Sequence, residues 1–362
     1  MLSGRLHYNA AVNFESARTL LALPESHPSG RMHGHSFLAN ISTDLPERWA
    51  NFPGDEVDAL RQKLTEVVNP LDFNLLNREI EDPTNENIAR WIRSRLDITE
   101  ISSLGVQIGA REGVDLDKAG NAHYWRRYRF ESAHYLPNVL AGHKCGRMHG
   151  HGFEIIIHAQ KLDGVVDCGL IYDHMDSLWV PLFKKLDHAC LNDIPGLQNP
   201  TSELISSWLW YQLKPQLSEL TWVTVYETAS CAAHFNGRNY RIWKEMTFDS
   251  AVNLNHAPVV DVRSRIHGHT YTLRLHLLAP LDHIMGWTVD YGDVKLLFDP
   301  IFKRLDHRPL YEIEGIKDAD TSSLVLWIRE QTSSLLPEMD RIDLFETPGC
   351  GVTLIWGDFG QE

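Results

Sequence analysis

The stretches GRMHGHSF at 30–37, GRMHGHGF at 146–153 and SRIHGHTY at 264–271 are one phrase written three times. A period of this length marks tandem copies of a single structural unit. The copies stay in register well beyond the phrase. Upstream, FESAR, FESAH and FDSAV place Arg18, His134 and Val252 each 15 residues before the first histidine of HGH. Downstream, LDF (Asp72, Phe73), LDH (Asp187, His188) and LDH (Asp306, His307) recur, followed by Thr84, Thr201 and Thr321. A late strand carries Glu227 in YET and Glu346 in FET; the first copy reads AREG there, with Glu112 loosely in register.

The differences between copies are more telling. Only the middle copy has a histidine after Ser-Ala, and only it has a cysteine four residues before HGH: Cys145, against Ser29 and Arg263. It alone holds a full set of reactive residues, so the flanking copies read as scaffold that has lost parts of a site.

At 362 residues the chain has room for two or three domains. The polar turn segments DLDKAGN (115–121) and NGRN (236–239) divide it into units 1–118, 119–239 and 240–362. A hydrophobic fraction of 43% suits packed cores. The formal charge of −14 argues against a broad nucleic-acid surface. A small anionic substrate stays open, since Lys144, Arg147, Arg263 and Arg265 lie near HGH phrases. Five cysteines without a CxxC pair read as free thiols of a reducing compartment. The N-terminus lacks an apolar leader and no apolar run reaches membrane-spanning length, so a cytoplasmic protein is expected.

Each unit is expected to run strand, strand, helix, helix, strand, with a further strand in between or at the end. In the middle unit the strands are HYWRRYRFESAH, HGFEIIIHAQ and WVTVYET. A helix covers YDHMDSLWVPLFKKL, where Pro181 is set to kink or split it. A second begins after Thr201, with acid in its first turn.

His149 and His151 at i, i+2 share one face of a strand. An antiparallel hairpin brings His134 alongside. A lone strand histidine is ordinarily a hydrogen-bonded core residue, but a third one at a fixed offset points to a tripodal zinc site with an open fourth position. The flanking units keep two histidines each and are expected to hold no stable zinc; their HGH is expected to serve turn geometry and close backbone approach. Beside the zinc site and the cationic Lys144 and Arg147, the Cys145 thiol is expected to have a lowered pKa. Asp187 would orient His188 to take its proton. The competing reading of LDHxxLN is a helix-end motif whose histidine caps carbonyls.

FESAH, HKCGRMHGH, LDHACLNDIPGLQNPTSE and VTVYET closely resemble the bacterial 6-carboxytetrahydropterin synthases of the 6-pyruvoyltetrahydropterin synthase superfamily, over about residues 123–237. Units one and three resemble the superfamily as degenerate copies. The resemblance implies an α+β tunnelling fold, each unit an antiparallel sheet with two helices on one face. Three units would close into a 12-stranded pseudo-trimeric barrel, and two chains would pair as a homodimer. It implies conversion of 7,8-dihydroneopterin triphosphate to 6-carboxytetrahydropterin, acetaldehyde and triphosphate, in queuosine biosynthesis. It further implies Zn2+ on His134, His149 and His151, Cys145 as proton shuttle, Glu227 as pterin anchor, and Lys144 and Arg147 as triphosphate contacts. The dyad serving Cys145 would be Asp187–His188 of another chain or Asp306–His307 of unit three; Phe73 disqualifies unit one. The alternatives are a 6-pyruvoyl-forming lyase on the same substrate, a non-catalytic pterin-binding scaffold, and a zinc hydrolase.

Overall fold

Each unit opens with two long strands whose side chains alternate between a helix-covered face and the opposite one. The computed structural model describes residues 4–160, 170–316 and 318–357. Unit one contributes β1 (Arg5–Arg18), β2 (His33–Thr43), α1 (Glu56–Val68), β3 (Asn74–Leu75), α2 (Asn85–Arg95), β4 (Ile101–Ile108) and β5 (Glu112–Asp117). Unit two follows with β6 (Ala122–His134), β7 (His149–Gln160), α3 (Leu170–Leu186), β8 (Ala189–Cys190), α4 (Ser202–Leu213), β9 (Leu220–Thr228) and β10 (Cys231–Phe235). Unit three repeats the order with β11 (Tyr240–Val252), β12 (His267–Leu278), α5 (Tyr291–Leu305), β13 (Arg308–Pro309), α6 (Thr321–Thr332), β14 (Met339–Thr347) and β15 (Cys350–Ile355).

Within a unit the long strands pair in the order first, second, third, fourth. Between units the last strand pairs with the next first strand: β5 with β6, β10 with β11, and β15 with β1. The last pairing closes a ring of 12 antiparallel strands and leaves none of them with a free edge. The two-residue strands β3, β8 and β13 add in parallel to β1, β6 and β11. The fourth long strand of each unit thus sits at the end, and it is the element that joins neighbours.

Six helices cover one face of the sheet, and the apolar core lies between: Phe130, Phe153, Ile155 and Ile157 meet Met175, Leu182, Leu186 and Leu209. The opposite face carries Trp222, His158, His234 and Trp243 in mutual ring contact. Phe14–Phe37, Phe130–Phe153 and Phe248–Tyr271 stack at 5.0–5.1 Å, one equivalent pair per unit. Helix α3 runs unbroken through Pro181, as α5 does through Pro300. Both prolines are exposed, so no buried carbonyl is stranded by the missing donor. Thr201 caps α4 by accepting from Leu204 N. No described helix is long and apolar enough to cross a membrane, and Cys168 lies outside the described residues.

Candidate active site and metal centre

The 15-residue spacing is a hairpin register. β6 and β7 pair His134 with His149, as β1 and β2 pair Arg18 with His33, and β11 and β12 pair Val252 with His267. HGH therefore lies within the strand, where its glycine permits close approach: a Cβ on Gly150 would sit 3.2 Å from Ser132 O across the ladder.

The register and the i, i+2 spacing bring three imidazoles together, with ring centroids 4.5–5.2 Å apart. Glu227, from the end of β9, joins them: its Oε1 lies 3.4 Å from His151 Nε2 and 3.7 Å from His134 Nε2. One ligand atom from each of the four falls within 4.8 Å of every other. His134 Nδ1 bonds Pro200 O at 3.0 Å and His149 Nδ1 bonds Arg147 O at 2.7 Å. A carbonyl only accepts, so both Nδ1 atoms donate and both Nε2 lone pairs are left for a ligand. His134 Nε2 is buried with no hydrogen-bond partner. Burial holds His134 at a pKa of about 4, against the opposing pull of Glu227, so its imidazole is neutral, the form that binds metal. An orphaned nitrogen, three convergent imidazoles and a carboxylate suit a divalent transition metal. On Glu227, burial favours the neutral acid, but the His151 hydrogen bond and the nearby histidines outweigh it and keep the pKa below the ordinary value.

Cys145 sits on the single 3-10 turn Lys144–Gly146, just before β7. His143 caps that turn, its Nδ1 accepting from Cys145 N at 3.2 Å, while its Nε2 lies 3.3 Å from Asp290 Oδ2 of unit three. The expected lowering of the thiol pKa does not hold in the protein without metal. Burial and the Glu227 charge raise it, Lys144 opposes them, and Asp290 adds to the rise. Lys144 and Arg147 are exposed, so water weakens their pull on the half-buried sulfur.

Unit three supplies the other wall. Asn138 Nδ2 donates to Ile284 O at 2.6 Å, and Thr201 Oγ1 to Gly286 O at 2.5 Å. Thr288 N donates to Glu203 Oε1 at 2.9 Å. Ser202 and Tyr291 share a hydroxyl contact at 3.0 Å. The site is thus built at a junction between units. His143, Glu203 and Asp290 escaped the sequence reading; the signal for His143 was its place two residues before Cys145, whereas Asp290 has none short of the tertiary fold.

The LD motif has a structural role in every unit. In unit two Glu131 N donates to Asp187 Oδ1 at 3.0 Å, and His188 N to Glu131 O at 2.6 Å. Asp72–Phe73 on Glu15 and Asp306–His307 on Asp249 repeat this clamp. The serine of each Ser-Ala donates to the chain at the end of the first helix of its unit: Ser16 to Leu71 O, just past α1, Ser132 to Leu186 O and Ser250 to Leu305 O. The residue after each aspartate has positive φ: 48° at Phe73 and 54° at His188 and His307. His188 and His307 are exposed, pair with their own aspartates at 2.7 and 3.0 Å, and make no bond to Cys145 among the described residues. They cap no helix carbonyl either.

Glu112 is not the counterpart of Glu227. Phe37 pairs with Ile108 on β4, the position that Glu227 occupies opposite Phe153 and Glu346 opposite Tyr271. Glu112 starts the next strand and is bound to Arg126.

Sequence comparison agrees with this architecture. The family described as 6-pyruvoyl tetrahydropterin synthase matches residues 8–107, 123–238 and 241–355. A 6-carboxy-5,6,7,8-tetrahydropterin synthase of Synechocystis sp. is 35% identical over 122 residues, spanning 31% of this chain and 90% of that protein. A dihydroneopterin monophosphate aldolase of Pyrococcus furiosus is 31% identical over 119 residues, 32% of this chain and 97% of that protein. Among solved structures, 6-pyruvoyl tetrahydropterin synthase of Caenorhabditis elegans aligns with 33% of this chain and 95% of its own, at 20% identity and a TM-score of 0.29. With three successive matches spanning most of its length, the chain belongs to the 6-pyruvoyl tetrahydropterin synthase family, carried as three tandem units.

Proposed function

We propose that the middle unit is a zinc-dependent 6-carboxytetrahydropterin synthase, a carbon–carbon lyase that converts 7,8-dihydroneopterin triphosphate to 6-carboxytetrahydropterin, acetaldehyde and triphosphate in queuosine biosynthesis. One observation carries the reading: His134, His149, His151 and Glu227, three imidazoles and a carboxylate, stand beside Cys145 in unit two, whereas the other cluster among the described residues that could hold an ion, Asp249, Asp306 and His307 of unit three, is largely exposed and offers one imidazole. The 35% identity to a protein of that name supports the choice of product. The unit limits 1–118, 119–239 and 240–362 belong to the same proposal, as does a cytoplasmic location.

His134, His149 and His151 would hold the zinc, which when bound supplies a Lewis acid that makes the substrate's side-chain protons easier to remove. Glu227 would receive the pterin N–H groups in a charge-assisted pair. Its 3.4 Å approach to His151 favours a second role, fourth metal ligand, and in that case Glu227→Gln loses zinc as well as activity. Lys144 and Arg147, exposed at the rim, suit the triphosphate. Cys145 would move the proton. Its raised pKa without metal calls for a base, and both dyads are exposed and make no bond to Cys145 among the described residues. We therefore assign the base to a second copy of the chain, in a homodimer of pseudo-trimers. Activity of His188→Ala and His307→Ala identifies which dyad serves.

The test is acetaldehyde release from 7,8-dihydroneopterin triphosphate by zinc-loaded protein. Release that Cys145→Ala abolishes is the expected result. Turnover without acetaldehyde would move the reading to the 6-pyruvoyl-forming or the aldolase type, and no turnover to a pterin-binding scaffold.

A further inference from the structure

At the junction of units one and two lies a cavity of about 450 Å³, within the size range of small-molecule sites. It shares no lining residue with the middle-unit centre. At the place where unit two has His134, this cavity has Arg18, which is 4% exposed. Its guanidinium lies over the Phe37 ring, and its Nη1 donates only to neutral oxygens, Pro83 O at 2.9 Å and Asn85 Oδ1 at 2.8 Å. Its Nε–H is buried and unpartnered.

A buried cation without a carboxylate partner is costly, and an orphaned donor adds to the cost. The acids of the lining do not remedy it, because each is already engaged by another side chain, Asp176 also by Arg111 at 3.9 Å. Glu112 and Asp176 both hold Arg126, and Asp173 lies 2.9 Å from His27. Arg18 itself has no carboxylate within ion-pair distance among the described residues, and it faces the cavity. Next to it, His33 donates Nδ1–H to Arg31 O and leaves a buried Nε2 acceptor unused. Tyr124, Tyr172, Leu20 and Leu23 supply flat and apolar walls.

We propose that this cavity is a metal-free binding site for a small planar ring bearing a carboxylate, with Arg18 as the anion receptor. Guanidinium and carboxylate match as a two-pronged pair, and a ring has the tyrosines and leucines of the lining to lie against. A fixed cation has replaced a bound one at the same register position, which turns a metal centre into an anion site. The inference does not depend on the reaction assigned to unit two.

The test uses the full chain carrying His134→Ala and His149→Ala, so that the middle centre is disabled, with calorimetric titration of benzoate, pterin-6-carboxylate and inorganic phosphate in the presence of a chelator. One equivalent of a ring carboxylate is expected to bind, and Arg18→Met is expected to weaken it at least about tenfold. Circular dichroism checks that Arg18→Met folds. If it does not, Arg18→His in the same His134→Ala, His149→Ala background serves: it should lose carboxylate binding and, with the chelator omitted, take up one zinc per chain where its parent takes none. The proposal is overturned by carboxylate binding that ignores both substitutions, by no binding at millimolar ligand, or by phosphate binding where both carboxylates fail.

Discussion

Where the middle unit pairs His134 with His149, the first pairs Arg18 with His33 and the third Val252 with His267. The backbone around these positions is the same, so each outcome follows from one or two side chains. In unit two an orphaned imidazole nitrogen faces two more imidazoles and a carboxylate. In unit one a guanidinium fills the place and faces a cavity. In unit three the place of Cys145 is taken by Arg263, which donates to Asp55 and Asp58 of unit one at 2.7 and 2.8 Å and to Asp261 beside it. The third position has become a staple that helps hold the ring closed. A repeated fold thus keeps its register while one copy gathers a metal-competent group, one buries a guanidinium and one ties neighbours together.

The largest expected contrast sets equivalent histidines against each other. Under the proposed mechanism His149→Ala removes zinc and lowers turnover by about 10³-fold or more. His33→Ala, its counterpart in unit one, leaves turnover within about twofold. Equal losses in the two variants would erase the distinction between the units.

Next in size is a pH effect at the wall of the middle site. Burial pushes the Glu203 carboxyl from 4.5 up to about 7, while Thr288 N and Ser202 favour its charged form. The folded state therefore holds this proton more tightly than the unfolded chain. Stability from Glu203 is fully present below pH about 4.5 and declines as pH rises to about 7, by on the order of 3 kcal/mol. Denaturant melts of Glu203→Gln across that window should lose the slope. An unchanged slope would mean that other groups set it.

Arg263→Met probes the staple. It leaves Asp55, 3% exposed, with only the Asn51 donors, and should cost about 2 kcal/mol in thermal denaturation without touching turnover. A smaller effect is expected of Ser29→Ala, at the unit-one place of Cys145: no change in turnover and a melting temperature within about a degree.

The fold and half of the site were legible because both rest on β-register, which sequence spacing encodes directly. The constant 15-residue interval is the length of a hairpin, and it names the three paired positions before any coordinates. Strand alternation also fixes Ile108, not Glu112, as the counterpart of Glu227; the acid in AREG distracts from it because it lies only four residues on. The clamp made by Asp72, Asp187 and Asp306 explains why the LD motif recurs even where Phe73 has replaced the histidine. Recurrence there reports folding as much as chemistry. What spacing does not encode is contact between units: Asp290 against His143, Thr288 against Glu203, Arg263 against Asp55. All three join different units and are absent from any single one, and the Arg263–Asp55 pair spans the junction that closes the ring. The direction of the Cys145 shift in the protein without metal has a related cause. Burial and the distant-in-sequence Glu227 outweigh the adjacent Lys144.

The central claim is that three like units carry one metal centre. Zinc content per chain, measured by mass spectrometry of dialysed protein, tests it most directly. One zinc per chain, absent from His149→Ala and retained in His33→Ala, is the predicted result; none, or two or three per chain, would contradict the account.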